Sequence, residues 1–143
     1  MQNMVTIRPA QASDAKRLFE LVGEFPTPTR PNHEVFSACF RSKLPDPASY
    51  LAVAENNGVL VGYISGYCHV AFYAGGKTAW VDEVLVTSPF RGQGIGRRLV
   101  EAFERWAQQQ DCVLVSLATA GSRGFYELLG YVSKAGYYKK YLA

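Results

Sequence analysis

Apolar residues recur along this 143-residue chain with two alternating periods, and the switches between them predict the order of its elements. Met4 to Arg8 alternates weakly before Pro9, as a short first strand does. Ser13 is placed to cap a helix whose buried face carries Ala15, Leu18, Phe19 and Val22 at i, i+3, i+4, i+7 spacing. Gly23 with Pro26, Pro28 and Pro31 ends that helix in a rigid loop. Phe36, Cys39, Phe40 and Leu44 mark a second amphipathic helix, stopped by Pro45 and Pro47. The period then falls to two. Tyr50 to Ala54 reads as a strand, Asn56-Asn57-Gly58 as a hairpin turn, and Val59 to Cys68 as the returning strand, apolar on both faces and therefore central. His69 to Lys77, with Gly75-Gly76, reads as a loop, and Ala79 to Thr87 as a fourth strand broken by Pro89. A long helix runs from about Gly94 to Gln110, burying Ile95, Leu99, Phe103 and either Trp106 or Ala107. Val113 to Ala118 is a strand, Ser122 to Leu129 a short helix, and Tyr131 to Leu142 a closing pair of strands.

The resulting order is β-α-α-β-β-β-α-β-α-β-β, with helices covering a sheet that is mixed and mostly antiparallel. That is an α+β fold, and residues 1–143 are expected to form one domain without repeat or linker. Hydrophobic residues at 48% and charged residues at 19% support a packed core. A net charge of +3 is too mild to point to nucleic acid, yet it does not oppose a polyanionic small ligand. No apolar run approaches the roughly 20 residues of a membrane helix. Met1 to Met4 carries neither the basic nor the apolar segment of a signal peptide, so a cytoplasmic location is expected. Cys39, Cys68 and Cys112 are scattered and odd in number, which fits small buried apolar residues better than a disulfide framework or a zinc site. His33 and His69 have no metal-like surroundings, so no metal is expected.

Candidate chemistry concentrates after the fourth strand, at Arg91-Gly92-Gln93-Gly94-Ile95-Gly96, where the longest helix begins. The first turn of a helix has unpaired N–H groups and a partial positive charge, so it binds phosphate. Glycines let a ligand approach the backbone, and Arg91, Arg97 and Arg98 add positive charge. Taken alone, the hexapeptide fits an ordinary turn equally well. Two rival phosphate sites are excluded: the chain contains no GxxxxGK[ST] P-loop, and Gly92-x-Gly94-x-Gly96 has the wrong spacing for a dinucleotide-binding turn.

With these residues the chain resembles the GNAT superfamily of acyl-CoA-dependent N-acyltransferases over nearly its whole length. The pyrophosphate loop of that family reads Gln or Arg, two residues, Gly, one residue, Gly or Ala, and Arg91 to Gly96 fits it. Val84 and Val86 match the apolar-x-Val that precedes the loop. Phe125-Tyr126-Glu127-Leu128-Leu129-Gly130-Tyr131 resembles the aromatic segment that follows it. The resemblance implies acetyl-CoA as cosubstrate. The backbone of Val84, Leu85 and Val86 would pair with the pantetheine arm as an added strand, and amides from Gly92 through Gln93, Gly94, Ile95 and Gly96 to Arg97 would hold the pyrophosphate.

The implied reaction is attack of a neutral amine on a thioester carbonyl, which needs a general base, a general acid and an oxyanion donor. Phe125, Leu128 and Leu129 already supply a buried stripe for their short helix, so Tyr126 is free to protonate the coenzyme sulfur, the role that the resemblance gives it. Asp82 and Glu83 are the acids inside the fourth strand, and strand neighbours point to opposite faces, so at most one should reach the site directly. The resemblance favours Glu83; Asp82 or a water stays open as the base. Thr119 stands where many relatives carry a coenzyme-contacting Asn, and Ser122 where Ala is common; the Thr119 hydroxyl can still donate to the coenzyme.

For the acceptor, the resemblance points to Phe25 to Asp46, His69 to Lys77 and the C-terminal hairpin, which are rich in aromatics, namely Phe36, Phe40, Phe72, Tyr73, Tyr137, Tyr138 and Tyr141. Core packing is the simpler reading for most of them, although aromatics can also cradle an ammonium group. The spacing of His33, Phe36, Phe40, Leu44 and Asp46-Pro47 resembles bacterial small-amine acetyltransferases, including the aminoalkylphosphonate type. The expectation is therefore an N-acetyltransferase working by direct transfer in a ternary complex on a small primary amine. The alternatives are a protein or peptide N-acetyltransferase and a non-catalytic CoA-binding regulatory module. No nucleic-acid or membrane partner is expected, and a homodimer through the strand edge near the C-terminus is left open.

Overall fold

The computed structural model describes residues 4–26 and 32–143. Five strands form one sheet in the order β1 (Val5–Pro9), β2 (Ser49–Asn56), β3 (Val59–Ala71), β4 (Gly76–Val86) and β5 (Cys112–Leu117). The first four pair antiparallel, and β5 joins β4 in parallel after the crossover helix α3 (Ile95–Gln109). One face of the sheet is covered by α3. The other is covered by α1 (Ala15–Val22) and α2 (His33–Lys43), and the short α4 (Arg123–Leu128) follows β5.

Local chemistry accounts for most boundaries. Asn57 and Gly58 both adopt positive φ, 50° and 82°, as a two-residue turn between β2 and β3 requires. The Asn32 side chain accepts the Val35 N–H at 2.8 Å and starts α2. Ser13 was expected to cap α1 but lies inside a short 3-10 turn. The capping there belongs to Asp14, whose Oδ2 accepts the Gln11 N–H at 2.7 Å. On α1, Leu21 joins Leu18 in the core, and Phe36 and Phe40 are the buried pair of α2. These two phenylalanines are therefore core rather than pocket, whereas Phe72, Tyr73, Tyr137, Tyr138 and Tyr141 are exposed. Cys39 is exposed as well, against the expectation of three buried cysteines; Cys68 is buried and Cys112 half-buried. Within α3, Phe103 and Ala107 are buried, while Trp106 stacks on Tyr50 at 5.3 Å between centroids. Burial of a ring such as Phe103 contributes about 2–3 kcal/mol.

Two expectations change in the C-terminal half of the sheet. The segment read as a loop from His69 to Lys77 is mostly strand: β3 runs to Ala71 and β4 begins at Gly76, leaving only a tight turn at 72–75. Residues 131–143 carry no strand, so the order holds through α4 and the closing pair is not formed. Tyr131 packs against the core, but Tyr137, Tyr138 and Tyr141 stay in solvent, and the burial that would pay for strand ordering is missing there. Pro28 and Pro31, part of the loop expected after α1, lie outside the described residues.

An ion cluster fastens β1 to the start of α1. Arg8 donates to both carboxylate oxygens of Asp14 at 2.8 Å and to Glu55 on β2 at 2.8 Å. The paired guanidinium holds the Asp14 carboxyl below the usual range, against the opposing effect of burial. Because the folded-state pKa is depressed, this stabilisation is complete above the unfolded value of about 4 and is lost as pH falls through the folded one. Asp14→Asn should therefore cost about 2 kcal/mol at pH 7, the scale of a hydrogen bond to a charged group. The gap from wild type, measured by urea denaturation, should shrink progressively below about pH 4.

Candidate active site

The site grows from the place where β4 and β5 part. Their ladder runs from Lys77 opposite Cys112 to Val81 opposite Leu117 and stops there. β4 continues through residues 82–86 paired to β3 alone, so no strand covers its other edge over Val84, Leu85 and Val86. An extended ligand arm can add to such an edge as a strand would.

The chain then turns into the candidate anion site. Gly92 and Gly94 have φ of 77° and 82°, a region that side chains with a Cβ rarely adopt, and Gly94 caps α3. Gly96 is in ordinary helix, where a Cβ would make only ordinary contacts with Phe125 and Val86. The first helical bond is from the Arg98 N–H to the Gly94 carbonyl at 3.1 Å, which leaves the amides of Ile95, Gly96 and Arg97 without a partner inside the helix. Arg91 folds back so that its Nε donates to the Val86 carbonyl at 2.8 Å, tying the turn to the end of β4. Gln93 leans toward the Pro89 carbonyl, and Arg97 pairs with Glu101 at 3.2 Å on the exposed face of α3. The turn is thus built to receive an anion with positive charge on its rim.

A β-bulge changes the expected placement of the acids. Ser65 lies opposite Glu83 and Gly66 opposite Val81, so Asp82 has no residue across from it. Val81, Val84 and Val86 pack in the α3 layer, whereas Leu85 packs in the α1/α2 layer, where Glu83 meets Tyr63. The extra residue cancels the alternation, and Asp82 and Glu83 share one face instead of two. Asp82 sits within the field of Lys43 from α2. Crowding by the surrounding protein pushes its carboxyl up, against the pull of Lys43 and Trp80, although the side chain keeps contact with solvent. Glu83 is half-buried and accepts the Tyr63 hydroxyl at 2.8 Å. Ser65, beside it on β3, is the buried side chain whose oxygen has no hydrogen-bond partner among the described residues.

Tyr126 approaches from the opposite layer. The expected stripe on α4 is rotated: Leu128 is exposed, and Tyr126 and Leu129 turn inward against the core. Six residues give α4 less than two turns, so its orientation is set by the contacts it finds rather than by its own periodicity. The Tyr126 ring lies edge-on to Phe125 at 4.9 Å and Tyr131 at 5.8 Å, and its hydroxyl has no hydrogen-bond partner among the described residues. Burial pushes the phenol up, which keeps it protonated at neutral pH as a general acid must be. An open cleft of about 890 Å³ between β5, α4 and residues 131–137 is lined by Tyr126, Thr119 and Trp80. It includes neither Asp82 nor Glu83 nor the 91–97 turn. Thr119 is committed locally, its Oγ1 accepting the Ser122 N–H at 3.1 Å. No cluster able to hold a metal occurs among the described residues, nor does a helix long and apolar enough to cross a membrane.

Some site residues left no mark in the sequence. Tyr63 stands in a continuous apolar strand, 20 positions from Glu83, and nothing in that run separates it from core. Thr87, which donates to Glu24 at 3.0 Å and ties the segment after α1 to the end of β4, is equally silent.

A strand that parts from its neighbour just before an anion-binding helix start, with acids on one side and a tyrosine on the other, describes an acyl-CoA N-acyltransferase. The family described as acetyltransferase (GNAT) matches residues 15–131, and the chain belongs to that family. It is 28% identical over 113 residues to the aminoalkylphosphonate N-acetyltransferase of Salmonella typhimurium strain LT2, covering 79% of this chain and 73% of that protein. The crystal structure of glucosamine-6-phosphate N-acetyltransferase from Arabidopsis thaliana superposes with a TM-score of 0.86 at 25% identity, covering 97% of this chain and 99% of that one. An aminoglycoside N-acetyltransferase in complex with CoA shares the fold with a TM-score of 0.85 at 18% identity, covering 98% of this chain and 97% of that one. Enzymes of this family use acetyl-CoA or CoA. The chain is accordingly an acetyltransferase of the acyl-CoA-dependent N-acyltransferase class.

Proposed function

We propose that the protein transfers an acetyl group from acetyl-CoA to a small primary amine by direct attack within a ternary complex. The observation that carries this reading is the opening of β4 away from β5 beyond Val81, immediately before the anion-binding turn at 91–97. In this reading the amides of Gly92 to Arg97 bind the pyrophosphate, and the backbone of Val84 to Val86 aligns the pantetheine arm. The thioester then lies in the gap, between Glu83 on one face and Tyr126 on the other. The amine nitrogen gives up a proton to Glu83, directly or through water, and forms a bond to the carbonyl carbon. The carbon–sulfur bond breaks, and Tyr126 protonates the departing thiolate. Asp82, on the same face as Glu83, contributes negative field toward an incoming ammonium. Two relatives are named for small amine acceptors, an aminoalkylphosphonate and glucosamine 6-phosphate, which supports a small amine here as well.

Thermal unfolding in the presence of acetyl-CoA, CoA and ATP tests the coenzyme. A ligand bound only by the folded state stabilises by about 2.7 kcal/mol at a hundred times its Kd. For a chain of this size that raises Tm by roughly 5–10 °C. Both CoA species should produce the rise and ATP much less; the absence of a shift with either CoA species would remove the reading. Thiol release from acetyl-CoA against a panel of amines then ranks the acceptors.

A further inference from the structure

We propose that Tyr63 is a positioning residue for catalysis: its hydroxyl holds Glu83 in the one orientation that presents the second carboxylate oxygen to the acceptor amine. The inference rests on the reading of Glu83 as the base.

The geometry sets up a clamp. Tyr63 is 2% exposed, and its ring is fixed in the cluster formed by Leu18, Leu21, Phe36, Phe40 and Leu85. From that anchored ring the hydroxyl donates to Glu83 Oε1 at 2.8 Å, while Oε2 accepts no hydrogen bond from the described residues. One oxygen is held and one is left to take a proton. Burial first, and then the nearby charges of Glu83 and Glu24, keep the phenol protonated throughout the range in which an amine acetyltransferase works, so it stays a donor. The clamp is needed because of where Glu83 lies. It adjoins the bulge, where the strand is irregular and Asp82 sits on the same face, so a free glutamate would spread over several rotamers and swing away from the second carboxylate. A base must be within hydrogen-bond reach of the proton it removes, and errors of about 1 Å in such placement cost on the order of a hundredfold in rate. The same contact would also satisfy the buried hydroxyl if it were merely structural, and the experiment separates these roles.

Kinetics of Tyr63→Phe, Glu83→Gln and the double variant form the test, with Tm measured for each. Tyr63→Phe keeps the buried ring and is expected to lower kcat by roughly tenfold to a hundredfold, with KM for acetyl-CoA within about twofold of wild type. Glu83→Gln alone should lower kcat at least as much, and adding Tyr63→Phe to it should cost nothing further, because there is then no base left to position. If Glu83→Gln is impaired while Tyr63→Phe turns over like wild type, the base stands and the role of Tyr63 is overturned. A loss from Tyr63→Phe that is equally large in both backgrounds overturns it too, since the hydroxyl would then act on another group. If Glu83→Gln keeps wild-type kcat, the base reading fails first and takes this inference with it. Should Tyr63→Phe fail to fold, Glu83→Asp replaces it: the carboxylate is kept but drawn back by one methylene from the phenol, and wild-type kcat in that variant overturns the proposal.

Discussion

Replacing Tyr126 by Phe is expected to lower kcat about a hundredfold while leaving KM for acetyl-CoA nearly unchanged, the size of effect seen when a positioned general acid is removed. The ring is retained, so its edge-on packing against Phe125 and Tyr131 survives and the fold is undisturbed. Only the hydroxyl is lost, and it makes no hydrogen bond to any described residue, so its removal breaks no internal bond. A selective fall in kcat would then report proton donation to the leaving thiolate. Tyr131→Phe provides the contrast, because the Tyr131 hydroxyl is already engaged, donating to Glu104 at 2.7 Å. That variant should lose about 1.5–3 kcal/mol of stability and keep its turnover. Wild-type kcat in Tyr126→Phe would remove Tyr126 from the mechanism.

The second large effect is expected at Gly66 on β3, opposite Val81. A Cβ at this position would overlap the Trp80 carbonyl and the Phe103 ring, whose Cζ would lie at 2.7 Å. The ring belongs to α3, and the carbonyl to the strand opposite, so both obstacles are fixed by tertiary packing. Overpacking of this kind costs about 3 kcal/mol, which corresponds to a fall in Tm of roughly 10 °C. Gly66→Ala should show it in thermal denaturation, and adding Phe103→Leu should recover only part of the loss, because the Trp80 carbonyl remains. Gly66 also borders the bulge that gathers Asp82 and Glu83 on one face. The variant should therefore lose kcat even at temperatures where it is folded. A Tm within 2 °C of wild type would show that the sheet can open at this point without penalty.

Much of this protein could be read from neighbouring residues alone. The hairpin at Asn57-Gly58, the glycine turn at Gly92 to Gly94 and the buried stripe of α3 were legible because each depends on a few consecutive residues whose backbone preferences and spacing settle the outcome. The family resemblance had the same basis, two short segments in the right order. The helix α4 marks the limit of this kind of reading. Its sequence offered Phe125, Leu128 and Leu129 as a stripe, yet the packed face is Tyr126 and Leu129, because so short a helix takes its orientation from its surroundings. The closing strands failed for a related reason. The tyrosines at 137, 138 and 141 have high strand propensity, but a strand forms only where a partner edge and a surface to bury against are supplied.

By itself the sequence determined the order of elements through α4 and the glycine turn that starts α3, which follow from local backbone preference, and its short motifs carried the resemblance to the family. Only the tertiary structure decided how the site is assembled. The register of β3 against β4 inserts a bulge at Asp82, turns two adjacent acids to one face and brings Tyr63 within 2.8 Å of Glu83. Register is a property of two strands together, selected by which side chains the layers on either side can bury, and no single stretch of sequence contains it.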